Sequence, residues 1–481
     1  MNLSVIARNI GIALVFNAIF MFFGVITSVI YDFDSSFSPL LLSCVITATV
    51  GFFPLIFVNN KQDINLKEGF TIVVLAWVLS CLFGMLPYVL WGGEFSLINA
   101  WFESVSGFTT TGSTILNDIE ALPHGLLFWR SSTHFIGGLG VVVFMLLILP
   151  SASTFRMRLS KMEISALSKE NYQFKTKRTV KVIGFVYIGM CVAEIVSLMI
   201  AGMDFFDALN HSFSTVSTGG FSTKNNSIAA FDSVAIEIVI TVFMLLGGLH
   251  FGLLYSSVAT CSFKIFKSPI IRYYLVTVFV SIVMVCINIK ANGYADGWLD
   301  AIRHGSFQVI SIASTTGFAT TDTSVWPHAS ILVLIFMSLQ CACSGSTTGG
   351  IKADRIYIWW QSVKREVQRK LHPQAVLPVK VGSTIVEPYM VADVNLYIVL
   401  YLFIILVVSI LLSMMGVDFI DSFTGSVASM GNVGPGFGSI GSLGNFSEIP
   451  VMGRLLLTFE MLLGRLEIYS LIIIFMIAKW R

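Results

Sequence analysis

Four short clusters of threonine or asparagine with glycine recur along the chain, and their composition suits a backbone cation site. They are Thr110-Thr111-Gly112, Thr218-Gly219-Gly220, Thr315-Thr316-Gly317 and Asn432-Val433-Gly434. Glycine adopts left-handed dihedral angles at little cost, so successive carbonyl oxygens can point the same way. Four such loops around one axis predict rings of carbonyl oxygens that replace the water shell of a cation, with no catalytic side chain.

The clusters belong to a unit that is repeated along the chain. Segments that end on the glycine align without gaps at 99–112, 207–220, 304–317 and 421–434. Each leads into a long helix with a glycine mark, at Gly137, Gly247, Gly349 and Gly464. One Thr-x-Gly is common in turns, whereas four copies at equivalent places are hard to obtain by chance. The sequence therefore predicts a helix, a short re-entrant helix, a glycine turn and a second helix, repeated four times.

The composition places these elements in a membrane. Of the 481 residues, 55% are apolar and only 12% are charged, too few charges to cover a soluble globule. A helix needs about 20 apolar residues to cross a bilayer, and ten such spans are predicted. They are 5–30, 39–58, 70–91, 127–149, 180–201, 233–258, 270–289, 328–350, 394–416 and 450–478.

The predicted fold class is an all-α polytopic membrane protein with ten transmembrane helices and four pseudo-repeats around one central pore. Two extra N-terminal transmembrane helices lie outside the repeats. The predicted boundaries are 1–69 for these two helices, and 70–150, 180–258, 270–370 and 393–481 for pore repeats 1 to 4. The third repeat has a broken second helix.

Most of the 29 Lys and Arg residues fall on one face of this arrangement. Short cytoplasmic loops are enriched in Lys and Arg, so both termini are predicted to be cytoplasmic. The two largest basic segments are Arg156–Lys181 and Lys352–Lys380. They are either topology signals that contact anionic membrane lipids or a docking surface for a regulatory partner. The net charge of +2 indicates no partner, and the composition argues against nucleic-acid binding.

The eighth span is polar and rich in small residues at its centre. A helix there would include three glycines, each costing up to roughly 1 kcal/mol relative to alanine. The preferred interpretation is a loop, about 341–350, that closes the pore below the filter; the alternative is close helix packing through small residues. The predicted gate consists of Ser344, Gly345, Ser346, Thr347, Thr348, Gly349, Gly350, Lys352 and Arg465.

Arg465 falls near the middle of the last span, where a charge costs at least about 2.5–3.5 kcal/mol and normally faces a cavity or a partner. It is predicted to form a positive barrier below the filter and to donate hydrogen bonds to the carbonyls of the loop. The alternative is an ion pair with Glu467, Glu460 or Glu237. Lys352 is either a second cationic element or a helix-end residue whose side chain reaches the membrane surface.

Acidic residues on the outer side allow two interpretations. They concentrate cations at the pore mouth or cap helices. They are Asp118, Glu120, Asp204, Asp207, Asp322, Asp418 and Asp421. No HExxH, GxSxG or paired-aspartate motif is visible, which argues against an enzyme and predicts no cofactor.

On these motifs the chain resembles the Trk/Ktr/HKT superfamily of potassium transporters, most closely its bacterial TrkH branch. The resemblance covers nearly the whole chain: the two extra helices, the four repeats and the interrupted helix, where the family has an intramembrane loop. It implies potassium uptake as a homodimer in the bacterial inner membrane. It also implies control by a cytoplasmic, TrkA-like nucleotide-binding ring of the RCK type.

The family's filter glycines correspond to Gly112, Gly220, Gly317 and Gly434. In plant relatives a serine at the first position goes with sodium transport, so the resemblance implies K⁺ as the transported ion, with Rb⁺ also permeant. The chain departs from the T-V-G-Y-G pattern of tetrameric potassium channels. The tyrosine position holds Ser113, Phe221, Phe318 and Pro435. Fewer regular carbonyl rings predict fewer ion sites and weaker discrimination against Na⁺.

A second function remains open, which is H⁺- or Na⁺-coupled secondary transport (symport) of cations. Such coupling needs acidic residues at mid-membrane between repeats. The candidates are Glu194, Glu237, Glu460 and Glu467, and they do not follow the repeat.

Overall fold

A computed structural model describes residues 2–58, 66–148, 176–259, 263–469 and 471. Most of the predicted basic segment Arg156–Lys181 and the end of the last predicted span, 472–478, lie outside the described residues. Within the described ranges the chain is almost wholly helical, which agrees with the predicted all-α class.

Seventeen helical segments follow one another in the described ranges. They are α1 (Leu3–Ile30), α2 (Phe37–Phe57), α3 (Leu66–Gly84), α4 (Leu86–Trp91), α5 (Leu97–Phe108), α6 (His124–Ile148), α7 (Thr176–Ile200), α8 (Phe205–Val216), α9 (Val234–Gly247), α10 (Phe251–Ala259), α11 (Pro269–Ala291), α12 (Trp298–Ala313), α13 (His328–Gln340), α14 (Ala353–Leu371), α15 (Pro388–Met414), α16 (Phe419–Gly431) and α17 (Val451–Leu466). Short 3₁₀ turns lie at Ser227–Phe231, Phe263–Lys267 and Gly438–Ile440, and strands β1 (Lys380–Val381) and β2 (Thr384–Ile385) form a small antiparallel hairpin.

Six helical stretches in the described ranges have the length and apolar composition to cross a membrane. They are α1, α2, the stretch Lys67–Trp91, the part Val182–Ile200 of α7, α11 and α15. A seventh is added if the bent pair α9 and α10 is counted as one span. These stretches coincide with predicted spans, whereas the predicted total of ten goes beyond what the length and composition of the described helices show.

Two predicted spans, 233–258 and 450–478, are wrong as continuous helices, and a third, 328–350, is interrupted where the sequence predicted a broken helix. The span 233–258 bends by 107° between α9 and α10. The span 328–350 is helical only as far as Gln340. The span 450–478 is interrupted after Leu466, because Glu467 has a left-handed φ of 59°. In all three cases the helix stops beside the glycine turns, so the interruptions belong to the site described below.

The short helices that precede the clusters pack against the longer helices. In the first repeat, Phe108 at the end of α5 packs edge-on against Trp129 of α6, with ring centres 6.2 Å apart. The Trp129 indole N–H donates to the carbonyl of Gly84, 3.0 Å away, at the end of α3. In the second repeat, Val216 lies in a buried cluster with Phe135 and Tyr187. Each short helix is therefore fixed by apolar packing before its chain turns.

Candidate functional site: four glycine turns around one axis

The helices α5, α8, α12 and α16 each end within two residues of a cluster, and the backbone then turns in the same way four times. The first residue of each cluster is left-handed, with φ of 51° at Thr110, 57° at Thr218, 55° at Thr315 and 51° at Asn432. The glycine two residues later is left-handed again, with φ of 84°, 83°, 77° and 105° in chain order. Such a conformation costs a threonine residue about 1–3 kcal/mol of conformational free energy, so the surrounding packing must enforce it.

The four glycines face one another in a closed ring. A Cβ atom on Gly112 would clash with the carbonyl oxygen of Gly219, in the second cluster. The same holds for Gly220 against Thr316, for Gly317 against Val433 and for Gly434 against Thr111. Each carbonyl belongs to the residue just before the next glycine, and the contacts run from repeat 1 through 4 and back to 1. The turns therefore share one axis, and only glycine leaves room for the neighbouring carbonyls.

In three of the repeats, one polar side chain of the short helix forms a hydrogen bond with the segment that follows the glycine. Glu103 Oε2 accepts from the backbone N–H of Ile115 at 3.2 Å. His211 Nε2 lies 2.9 Å from Ser222 Oγ, and Gln308 Nε2 donates to the Thr321 carbonyl at 3.3 Å. Glu103, His211 and Gln308 occupy the same column of the repeat alignment. Sequence analysis missed these tethers, although the polar column was a signal that could have revealed them.

A buried ion pair of the first repeat lies beside the ring, and its arginine also contacts the second repeat. Arg130 Nε donates to Glu103 Oε1 at 2.6 Å, and both side chains are at most 2% exposed. Arg130 also donates to the Ser222 carbonyl at 2.9 Å, and its guanidinium lies 3.5 Å from the centre of the Phe221 ring. The His134 ring stacks on Phe221 with centres 4.0 Å apart. Phe221, the residue after the filter glycine, is thus held between two side chains of α6.

We expect Glu103→Ala to destabilise the protein by about 3–5 kcal/mol, because it leaves the Arg130 charge buried without its partner. Thermal unfolding in detergent measures the effect. The matched control is Asp300→Ala, since the Asp300 carboxylate is 37% exposed and forms an ion pair with His304 near the surface. That exposed pair contributes at most about 1 kcal/mol. An equal change of unfolding temperature in the two variants would contradict the structural role assigned to Glu103.

Residues 341–352 separate α13 from α14 without forming a helix, so the interpretation of close helix packing through this segment is wrong. Two backbone hydrogen bonds join the segment to the bend between α9 and α10. Cys343 N donates to the Gly248 carbonyl at 3.1 Å, and Phe251 N donates to the Gly345 carbonyl at 3.1 Å. The broken helix of the second repeat therefore exchanges backbone bonds with the broken helix of the third.

The same segment contacts the inner side of the ring. Thr347 Oγ1 donates to the Val216 carbonyl at 3.1 Å, at the end of α8, and accepts from Thr218 Oγ1 at 3.3 Å. Gly349 N donates to Thr315 Oγ1 at 3.4 Å. A Cβ on Gly349 would lie 2.5 Å from the Gly431 carbonyl oxygen, at the end of α16. This glycine, predicted to mark the third repeat, therefore packs against the short helix of the fourth.

Arg465 joins this segment to the first repeat. It is 5% exposed, and it donates to the Thr347 carbonyl at 2.5 Å and to the Gly137 carbonyl at 3.2 Å. The alternative of an ion pair is wrong within the described chain. Its three candidate partners bind elsewhere: Glu467 pairs with Arg355 at 2.8 Å, Glu237 pairs with Arg303 at 2.7 Å, and Glu460 accepts from Ser426 at 2.7 Å.

Lys352 is 7% exposed, with a left-handed φ of 75°. It lines one small cavity with Arg465 and Glu467. The remaining predicted gate residues lie in the interrupted segment itself, where Ser346 Oγ donates to the Cys343 carbonyl at 2.6 Å and Ser344 N donates to Asp354 at 2.6 Å.

On the other side of the ring an open cavity contains all four glycines of the clusters. Its lining includes Gly112, Gly220, Gly317, Gly434, Arg130 and Lys224. None of the seven outer acids belongs to the lining that the structure describes. Asp204 and Asp418 cap α8 and α16, as the second interpretation of these acids predicted. Others bind loops, as where Asp207 accepts from Thr223 at 2.6 Å.

Comparison with known protein families shows which family contains this chain. The family model TrkH, described as a cation transport protein, matches residues 42–479. The chain belongs to the TrkH family. The resemblance inferred from the four repeats is thereby confirmed.

Several TrkH-family relatives extend over most or all of the chain. The Trk system potassium uptake protein TrkH of Escherichia coli (strain K12) is 33% identical over 426 residues, which is 88% of either chain. The protein of the same name from Halomonas elongata is 33% identical over 491 residues and covers 100% of both chains. The crystal structure of the potassium transporter TrkH from Vibrio parahaemolyticus matches with a TM-score of 0.89 and 29% identity, covering 100% of both chains. The chain is thus a multi-pass membrane protein of a transporter family.

Proposed function

We propose that this chain takes up K⁺ across the bacterial inner membrane through a pore on the axis of the four glycine turns. The observation that carries the proposal is the closed ring of contacts between each glycine and a carbonyl of the next repeat. Ordered carbonyl oxygens can replace the water shell of a cation. The short helices also aim their partly negative C-terminal ends at the axis. K⁺ is the substrate, and no cofactor is needed.

The proposed filter takes three residues from each of four pore repeats. The four repeats are 70–150, 180–258, 270–370 and 393–481. Two N-terminal helices in 1–69 precede them, and the proposed total is ten membrane spans. The filter residues are Thr110, Thr111, Gly112, Thr218, Gly219, Gly220, Thr315, Thr316, Gly317, Asn432, Val433 and Gly434. The repeated left-handed pairs support this assignment, since they place the same peptide groups at equivalent positions in each repeat.

The proposed gate is the interrupted segment 341–352 together with Arg465. Contacts with the ends of α8 and α16 hold the segment against the inner side of the ring. The positive charge of Arg465 lies next to this segment, because its guanidinium donates to the Thr347 carbonyl. There it opposes the passage of cations. In this arrangement the pore is closed, and ions pass when the segment and Arg465 move away together.

We further propose that a cytoplasmic RCK-type ring moves this gate and that the chain works as a homodimer with both termini in the cytoplasm. The helix α14 follows the gate directly and carries basic residues at its end, including Arg369 and Lys370. The names of the relatives assign them to a Trk system, which supports a multicomponent assembly. A pull on α14 would act on the segment that precedes it.

H⁺- or Na⁺-coupled transport is the second candidate, and one observation favours it. Glu194 in α7 and Glu460 in α17 are buried carboxyl groups with 0% exposure, and such groups inside membrane helices often serve proton relays. The first candidate has the stronger support, because neither glutamate lies in the ring of turns that the four repeats share.

Flux measurements in liposomes separate the two candidates. The purified chain is reconstituted, and Rb⁺ uptake is driven by a K⁺ gradient alone, with equal pH and equal Na⁺ on both sides. We expect uptake that external K⁺ suppresses at a lower concentration than Na⁺ does. Uptake that occurs only when a pH or Na⁺ gradient is imposed would favour the coupled transporter. Uptake equal to that of protein-free liposomes, both in the wild type and in the gate variant Arg465→Ala, would refute the pore.

A further inference from the structure

Among the described residues that line the outer cavity, the charged side chains are positive. Of the described residues that line it, Arg130 and Lys224 are the charged ones. The charge of Arg130 is compensated by Glu103, 2.6 Å away. Lys224 forms no ion pair with any carboxylate in the described ranges. In the described chain, a lysine without an ion-pair partner therefore lines the same cavity as all four glycines of the ring.

The backbone around Lys224 is fixed, so this charge is not carried by a loose loop. Its own N–H donates to Ser222 Oγ at 3.0 Å. The next residue, Asn225, accepts from the N–H of Ile119 at 2.6 Å and donates to Asp118 at 2.9 Å. The bonds of Asn225 tie the outer loops of the first and second repeats together next to Lys224. Asp118 and Glu120, the nearest acids in the sequence of the first loop, both hydrogen-bond Asn225.

We propose that Lys224 is a specificity-determining residue that keeps divalent cations out of the outer mouth. The inference rests on the proposed cation pathway and adds a second basis for selection to it. A ring of carbonyls selects by size and coordination, and Ba²⁺ is close to K⁺ in size but carries twice the charge. Electrostatic repulsion by a fixed ammonium grows in proportion to ionic charge. Lys224 therefore penalises a divalent ion twice as much as a monovalent one.

The test measures how strongly Ba²⁺ inhibits Rb⁺ flux into liposomes that contain the full-length chain. Ba²⁺ is present on both sides of the membrane, so the orientation of the protein does not matter. We expect Lys224→Gln to lower the half-inhibitory Ba²⁺ concentration by about 10-fold, and Lys224→Arg to keep the wild-type value. Rb⁺ flux without Ba²⁺ shows that each variant is folded.

The matched control is Lys290→Gln, which removes the same charge at the end of α11. The Lys290 ammonium donates to the carbonyls of Ala295 and Asp296, at 3.2 Å and 2.9 Å, and does not line the cavity. An equal half-inhibitory Ba²⁺ concentration in the wild type and in Lys224→Gln would overturn this inference and leave the potassium pathway intact. The same holds if Lys290→Gln lowers that concentration as much as Lys224→Gln does. Absence of Rb⁺ flux from both the wild type and Arg465→Ala would instead overturn the pathway itself, and this inference with it.

Discussion

Arg465→Ala is expected to raise Rb⁺ flux through the reconstituted chain about 30-fold. A unit charge about 8 Å from a monovalent cation raises the energy of that cation by roughly 2 kcal/mol at an effective dielectric constant of about 20, and each 1.4 kcal/mol is about tenfold in rate. The substitution also removes the two hydrogen bonds that join the Thr347 and Gly137 carbonyls through this side chain. Both effects act in the same direction, toward an open pathway.

Two further variants separate charge from general damage. Arg454→Ala removes a second arginine of α17, whose guanidinium contacts Asn99 outside the gate, and we expect it to leave the flux near the wild-type value. Arg465→Lys keeps the charge but loses the forked guanidinium, so its flux should remain well below that of Arg465→Ala. Flux that is unchanged or reduced in folded Arg465→Ala protein would refute the barrier. A deletion within Ser344–Thr348 should raise flux in the same way, by removing the segment below the ring.

Gly434→Ser is expected to lower the preference for K⁺ over Na⁺ by about 10-fold, which corresponds to roughly 1.4 kcal/mol of lost discrimination. Gly434 has a φ of 105°, and a Cβ there would lie 2.6 Å from the Thr111 carbonyl oxygen. The side chain must push this carbonyl out of its place in the ring. Because size selection depends on where the carbonyls stand, a displaced carbonyl weakens it. Reversal potentials under mixed K⁺ and Na⁺ gradients measure the ratio.

The matched control for this substitution is Gly202→Ser, in the turn between α7 and α8. Gly202 has a φ of 100°, so serine meets the same backbone strain there, but no atom lies within 4 Å of its added Cβ. We expect Gly202→Ser to keep the wild-type ion preference. Identical reversal potentials for the wild type and Gly434→Ser would argue against the filter, whereas equal losses in both serine variants would indicate a general effect of strain.

The glycine turns and the interruption of the helix at 341–352 could be predicted because their cause is local. A left-handed backbone favours glycine, so the four positions that need it are visible as a repeat in the sequence. Three glycines and six hydroxyl or thiol side chains in the middle of an apolar span likewise indicate that the helix cannot continue through 341–350. The left-handed Thr110, Thr218 and Thr315 could not be predicted, since threonine normally avoids this conformation and only the surrounding packing enforces it.

The bend between α9 and α10 could not be predicted, because its partners are distant in the sequence. The stretch around Gly248 is apolar and reads as one continuous span, yet its backbone bonds with Cys343 and Gly345 stop the helix there. The pair of Arg130 with Glu103 poses the same problem. Each residue appears in the sequence as an isolated charge, and only the fold brings the two within 2.6 Å and places them against Ser222 and Phe221.

The outer acids show a third limit, which is that charge in a sequence does not reveal what the charge binds. Asp207 and Asp421 look like residues of a pore mouth, but Asp207 accepts from Thr223 at 2.6 Å and Asp421 accepts from Ser439 at 2.5 Å. Their oxygens fix the loops that surround the ring. The side chain left facing the cavity without a counter-charge in the described chain is Lys224, of the opposite sign to the one expected there.

Diffraction from crystals of the protein grown in Rb⁺, at a wavelength where Rb⁺ scatters anomalously, tests the central claim most directly. The account predicts an anomalous peak on the common axis of the four turns, among the carbonyl oxygens next to Gly112, Gly220, Gly317 and Gly434. A protein that conducts Rb⁺ in liposomes but binds it only away from this axis would contradict the account.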